Sequence, residues 1–108
     1  MADLLVTGTQ LSFRGKTYAC AIGKGGFSAN KKEGDGATPL GVFPLRACWY
    51  REGRIAKPTT QLPLRVIHED DGWCDDPKSP EYNRHVTLPF TPSHENLWRD
   101  DHCYDLII

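Results

Sequence analysis

Gly34-Asp35-Gly36-Ala37-Thr38-Pro39-Leu40-Gly41-Val42-Phe43 is the stretch whose reading decides the fold of this 108-residue chain. It begins as a loop that only small residues can form. Its three glycines permit positive φ or close backbone approach. Pro39 fixes its own φ and pushes Thr38 into an extended conformation. The stretch then runs into the apolar sequence Val42-Phe43-Pro44-Leu45. A loop so constrained, feeding a strand, is built to hold one shape, and rigid loops on sheets are where functional groups sit. On these ten residues alone, a plain Gly/Pro turn between two strands is the favoured reading.

Working outward, the upstream segment Gly23 to Pro39 is glycine-rich and polar and reads as a loop. Before it, Asp3 to Thr7 reads as a strand. Leu11 and Phe13, the turn Arg14-Gly15-Lys16 and the run Thr17 to Ile22 read as a β-hairpin. Downstream, Gly41 to Tyr50 predicts a strand, with Pro44 marking an edge or a bulge. Leu62 to His68 alternates like another strand, and Val86 to Leu88 like a short one. Glu69 to Asn83 is acidic and turn-rich. Ser93-His94-Glu95-Asn96-Leu97-Trp98 predicts the one short helix, near 93–99, with Ser93 as N-cap and Glu95 favoured by the helix dipole. Tyr104-Asp105-Leu106-Ile107-Ile108 reads as a buried strand. The expected class is therefore mainly β with at most one short helix.

The length fits a single domain spanning 1–108, with enough chain for one modest core. Domains rarely stop inside their most apolar strand, so Leu106-Ile107-Ile108 carries the expectation that the domain is partial and continues. A last strand tucked into the sheet is the alternative. Charged residues make up 25% and the net charge is -1, which excludes a basic nucleic-acid footprint. No apolar run approaches a membrane span. Met1 to Val6 has neither a basic n-region nor a long apolar core, so it does not read as a signal peptide. By sequence alone the chain is cytoplasmic, unless a signal lies outside it.

In Glu69 to Asn83 six carboxylates face one lysine. Their spacing does not fit a calcium loop. The short Cys/His pairings of a zinc site are also missing, so no metal and no cofactor is expected. Trp73 and Tyr82 in so polar a segment imply an ordered loop anchored by packing. Asp75 or Asp76 would then hold turns or backbone amides. Cys20, Cys48, Cys74 and Cys103 are dispersed and read as free thiols. Cys74 lies between His68 and His85, but its acidic neighbours suppress a thiolate. Cys20 and Cys48 read as core residues.

Two of these stretches together resemble a known family. Gly34 to Phe43 is similar to the G-D-G-x-T-P-x-G-x-F signature of L,D-transpeptidase catalytic domains of the YkuD type. Gly72-Trp73-Cys74-Asp75-Asp76-Pro77, followed by Tyr82-Asn83, resembles the W-x-D-D…Y-N segment of one branch. Tyr104 to Ile108 looks like the strand preceding that family's active-site segment. The resemblance implies a β-sandwich-like fold, here incomplete at the C-terminus, and cysteine acyl transfer on peptidoglycan stem peptides in the cell envelope. The family nucleophile lies in an H…[S/T]-x-G-C segment, expected after Ile108. No cysteine of this chain matches it, so no catalytic residue is assigned. What carries over is a set of residues that shape or support the cleft: Asp35, Thr38, Trp73, Asp75, Asp76, Tyr82 and Asn83. Stem peptides are the implied partners. The complementary segment, or self-association through Tyr104 to Ile108, would complete the sheet.

Overall fold

A computed structural model describes residues 3–108. Every regular element among them is a β-strand, so the mainly β expectation holds. The chain divides into two compact units, the first ending at Val42 and the second spanning Phe43–Ile108.

The first unit opens with β1 (Leu5–Thr7), β2 (Gln10–Phe13) and β3 (Lys16–Ala19), an antiparallel meander in that order. Phe13 pairs with Lys16, which leaves Arg14 and Gly15 as a two-residue turn, with φ 49 and 78. Positive φ at both turn positions matches the right-handed twist of the flanking strands, which is why this hairpin closes here. None of the described residues of this unit is fully buried. The Gly23 to Pro39 segment is not all loop. Two short strands, β4 (Phe27–Ser28) and β5 (Thr38–Pro39), pair in parallel within it. Their pairing is only two residues long, too short to leave an alternating pattern in the sequence.

The second unit holds two three-stranded sheets. In one, β6 (Cys48–Tyr50) lies between β7 (Leu64–Val66), parallel to it, and β11 (Leu106–Ile107), antiparallel. In the other, β8 (Asp71–Cys74) lies between β9 (His85–Thr87) and β10 (His94–Asn96), both antiparallel. The core is Cys48, Tyr50, Ile67, Cys74, Val86 and Leu97, with Ile67 and Cys74 sealed completely. The Trp49 and His85 rings stack at 5.0 Å and so link the two sheets.

Four expectations need correction. The strand expected over Gly41 to Tyr50 survives only as Cys48–Tyr50. Gly41, at φ 144, and Pro44, which has no amide to donate, keep the preceding residues irregular. The acidic segment after Glu69 is not simply a loop, because its Asp71–Cys74 part is the central strand of a sheet. The helix expected near 93–99 is absent, and His94–Asn96 is β10. Six residues are too few to repay helix nucleation alone, whereas β8 offers a ready edge for pairing. Ser93 does not cap; its hydroxyl donates to Asp75 at 2.6 Å. Finally, β11 is an edge strand with Leu106 exposed, not a buried one.

Candidate functional site

Of the residues singled out from sequence, Asp35 and Thr38 belong to the first unit. There they organise the glycine-rich loop that runs into Thr38. The Asp35 carboxylate accepts from Lys31 Nζ at 2.6 Å, from the Lys32 amide at 2.8 Å and from the Ala37 amide at 2.8 Å. The lysine bond, followed by the two amide bonds, lowers its pKa to about 2. Thr38 Oγ1 accepts from the Gly23 amide at 2.7 Å, tying the two ends of the segment together. Gly23 and Gly25 lie so close to the Gly36 and Asp35 carbonyls that neither has room for a side chain. These contacts are internal to the loop. Asp35 acts as a turn staple here, with all its visible partners on its own segment.

A pH dependence follows. Because folding depresses the Asp35 pKa, the stabilisation it supplies is complete above its unfolded value near 4. It is lost as pH falls through about 2. The Ala37 and Lys32 amides are therefore expected to lose chemical-shift dispersion and exchange protection in acid between those limits. Asp35→Asn should show the same loosening at neutral pH. An Asp35→Asn spectrum identical to wild type at residues 31–38 would contradict the assignment.

The other five candidates belong to the second unit. Trp73 sits in the middle of β8, opposite His85 on one side and Glu95 on the other. Its indole Nε1–H donates to Asn83 Oδ1 at 3.0 Å. Asn83 adopts φ 59 and donates its amide to the Cys74 carbonyl at 2.9 Å. Asparagine tolerates the left-handed region better than most residues, which explains its use at this turn. The Asp76 carboxylate accepts from the Lys78 amide at 2.9 Å, and Asp75 receives the Ser93 hydroxyl. The Tyr82 amide donates to the Ser79 carbonyl, closing the turn before Asn83. Asp75, Asp76 and Tyr82 thus build the β8–β9 connection.

Trp73 and Asn83 also line an open groove of ≈ 630 Å³ within this unit. Strands from both sheets contribute to it, through Trp49, Trp73, Glu95 and Ile107. Across from Trp73, the Tyr104 hydroxyl donates to Glu95 Oε2 at 2.8 Å. Burial and that bond raise the phenol to about 12, so it stays a donor at neutral pH. The groove therefore presents three aromatic rings, an amide, a carboxylate, a guanidinium and a phenol among aliphatic walls. Such a mixture suits an elongated ligand with both apolar and hydrogen-bonding parts.

Trp49, Glu95 and Tyr104 escaped the sequence reading as site residues. Glu95 was assigned to a helix, where it would point elsewhere. Its place opposite Trp73 comes only from the pairing of β10 with β8. Behind the groove, Asp71 is buried and holds two partners: the His68 amide at 2.7 Å and His85 Nε2 at 2.6 Å. It is the one member of the acidic stretch that turns inward to the core.

No thiol is hydrogen-bonded to an imidazole among the described residues. His85 is taken by Asp71, His94 Nδ1 by the Pro92 carbonyl and His102 by Asp105. Cys74 is sealed in the core, where a thiol is inert. All four cysteines are free thiols.

The L,D-transpeptidase catalytic domain model, YkuD, matches residues 5–101. No curated protein and no solved structure matches the chain. With nearly its whole length covered, the chain belongs to the YkuD-type L,D-transpeptidase catalytic domain family.

Proposed function

We propose that this chain serves peptidoglycan cross-linking or remodelling as the substrate-facing part of an L,D-transpeptidase-like domain. In this reading the groove beside Trp73 receives a stem peptide, while acyl transfer needs a cysteine other than the four in these residues. The family match over residues 5–101 carries the reading. The groove supports it. Its Trp49 and Trp73 rings offer apolar contact to peptide side chains, and Asn83, Glu95 and Tyr104 offer polar contact to backbone amides. The thiols support its second half. Acyl transfer requires a thiolate, a base and an oxyanion site, and no cysteine is hydrogen-bonded to an imidazole among the described residues.

The test combines binding with intact-mass measurement. Incubated with a disaccharide-tetrapeptide, the 108-residue chain should bind reversibly and gain no covalent mass. Trp73→Ala should weaken that binding by ~tenfold or more, since loss of a buried aromatic anchor typically costs above ~1 kcal/mol. A thioester adduct on any of the four cysteines would overturn the division of labour. Failure to bind, with native secondary structure intact, would overturn the peptidoglycan reading.

A further inference from the structure

We propose that the hollow bordered by β10 and residues 98–101 binds a sugar unit of a glycan chain, with the Trp98 indole as the surface on which the sugar stacks. The inference goes beyond the stem-peptide reading and does not need it. It concerns a second site, which shares only Glu95 with the groove beside Trp73.

The hollow encloses ≈ 600 Å³ and is open to solvent, so a sugar within a chain can enter it. Its shape is fixed by two arginines. Arg51 is only 8% exposed and sets its guanidinium carbon 3.4 Å from the centre of the Trp98 ring, covering one face of the half-buried indole. Arg51 Nη1 also donates to the Arg99 carbonyl at 2.7 Å. Arg54 holds the next two carbonyls, Asp100 through Nη2 at 2.9 Å and Asp101 through Nη1 at 2.6 Å. The segment that carries the hollow is thus ordered before any ligand arrives, and binding does not bear that entropy cost.

The rim selects the ligand. Four of its polar groups have no partner among the described residues: the Trp98 Nε1–H, the Asn96 side-chain amide, the Asp100 carboxylate and His94 Nε2. His94 Nδ1 donates to the Pro92 carbonyl at 2.8 Å, which leaves Nε2 as the acceptor of the neutral ring. The remaining charges are engaged. Arg99 Nε grips Asp101 at 2.9 Å, and Glu95 accepts from the Tyr104 hydroxyl. An anion meets a free carboxylate and no unpaired guanidinium. A cation finds one face of the indole already taken by Arg51. A pyranose suits both features of the hollow. Its C–H face packs flat on an indole, and its hydroxyls, each both donor and acceptor, meet the mixed groups of the rim.

The probe is chitotriose, a trimer of N-acetylglucosamine that carries no peptide. Titrated into the 108-residue chain, it should give saturable chemical-shift changes at the Trp98 Nε1–H and at the amides of 94–101, while the Trp73 Nε1–H stays in place. Trp98→Ala should weaken binding by ~tenfold or more. That change also strips the buried Arg51 of its stack, so Asn96→Ala and Asp100→Ala supply the independent check. Both side chains are exposed and hold no other protein group. Each variant should bind roughly threefold more weakly, with circular dichroism and the urea midpoint near wild type. An excess of free stem tetrapeptide should leave chitotriose binding unchanged. Absence of saturable binding overturns the proposal, as does binding indifferent to both the Asn96 and Asp100 variants. Displacement by the tetrapeptide overturns it too, and so does tighter binding of the monosaccharide than of the trimer. Chitotriose binding that persists when the tetrapeptide fails to bind would support this site and count against the stem-peptide reading alone.

Discussion

Asp71→Ala is expected to be the most damaging single substitution in the second unit. The side chain is 7% exposed as a residue and accepts two bonds, from the His68 amide and from His85 Nε2. Its removal strands the His68 amide, in the turn before β8, and frees the imidazole that stacks on Trp49. A donor left unsatisfied costs about 1–3 kcal/mol, and the lost bond to His85 adds to it. A total near ~3 kcal/mol would lower the melting temperature of so small a protein by roughly 10 °C or more. Asp71→Asn separates the two contributions. It keeps an oxygen for the His68 amide, so it should cost about 1 kcal/mol and leave the Trp49–His85 stack in place. Equal melting temperatures for wild type and Asp71→Ala would remove Asp71 from the account of how the two sheets are held together.

The second large effect is expected at Gly23. A Cβ there would lie 2.1 Å from the Gly36 carbonyl oxygen and 2.9 Å from the Ala37 carbonyl carbon. Both are backbone atoms, so no rotamer change relieves the clash. The segment must open, which breaks the bond from the Gly23 amide to Thr38 Oγ1 and the two-residue pairing of β4 with β5. Overpacking of this kind costs about 3 kcal/mol locally. Gly23→Ala should therefore collapse the dispersion of the amide signals of residues 23–38 while leaving the core of the second unit unaffected. Gly26→Ala is the matched control. Nothing lies within 4 Å of a Cβ there, but φ is +74. Its cost is backbone strain alone, about 1 kcal/mol. The ordering, Gly23 well above Gly26, can be read from exchange protection at Thr38. The reverse order would refute the packing argument.

The parts of this fold that were legible in the sequence are those specified by local chemistry. The Arg14-Gly15 turn announces its hairpin because few sequences tolerate positive φ twice in succession. Alternating or β-branched patterns mark two more strands: Leu64–Val66 falls inside the run expected over Leu62 to His68, and His85–Thr87 overlaps the one expected at Val86 to Leu88, offset by one residue. The glycine and proline spacing of Gly34 to Phe43, together with Trp73 to Asp76, pointed to the family that matches residues 5–101.

What stayed hidden depended on partners distant in the chain. Asp71–Cys74 looked like an acidic loop because its strand character comes from pairing on both sides with β9 and β10. Ser93 and Glu95 carried an acceptable helix start, but three residues of local preference lost to a ladder with β8. The groove suffered for the same reason. Trp73 and Asn83 were found because they share a short motif. Glu95 and Tyr104 complete their surroundings only after β10 has folded back, and no spacing rule links them to Trp73.

The arrangement of β6 has a consequence for the order in which the molecule assembles. Its parallel partner β7 follows within the next stretch of chain, whereas its antiparallel partner β11 arrives only after all three strands of the sheet centred on β8. Closing the larger loop costs more chain entropy, and β11 repays it with two paired residues. It should dock last and release first. The β6–β7 pair and the sheet centred on β8 thus form a kinetic unit to which β11 is added as a latch, so the lifetime of the groove wall is set by the opening rate of that latch rather than by global unfolding.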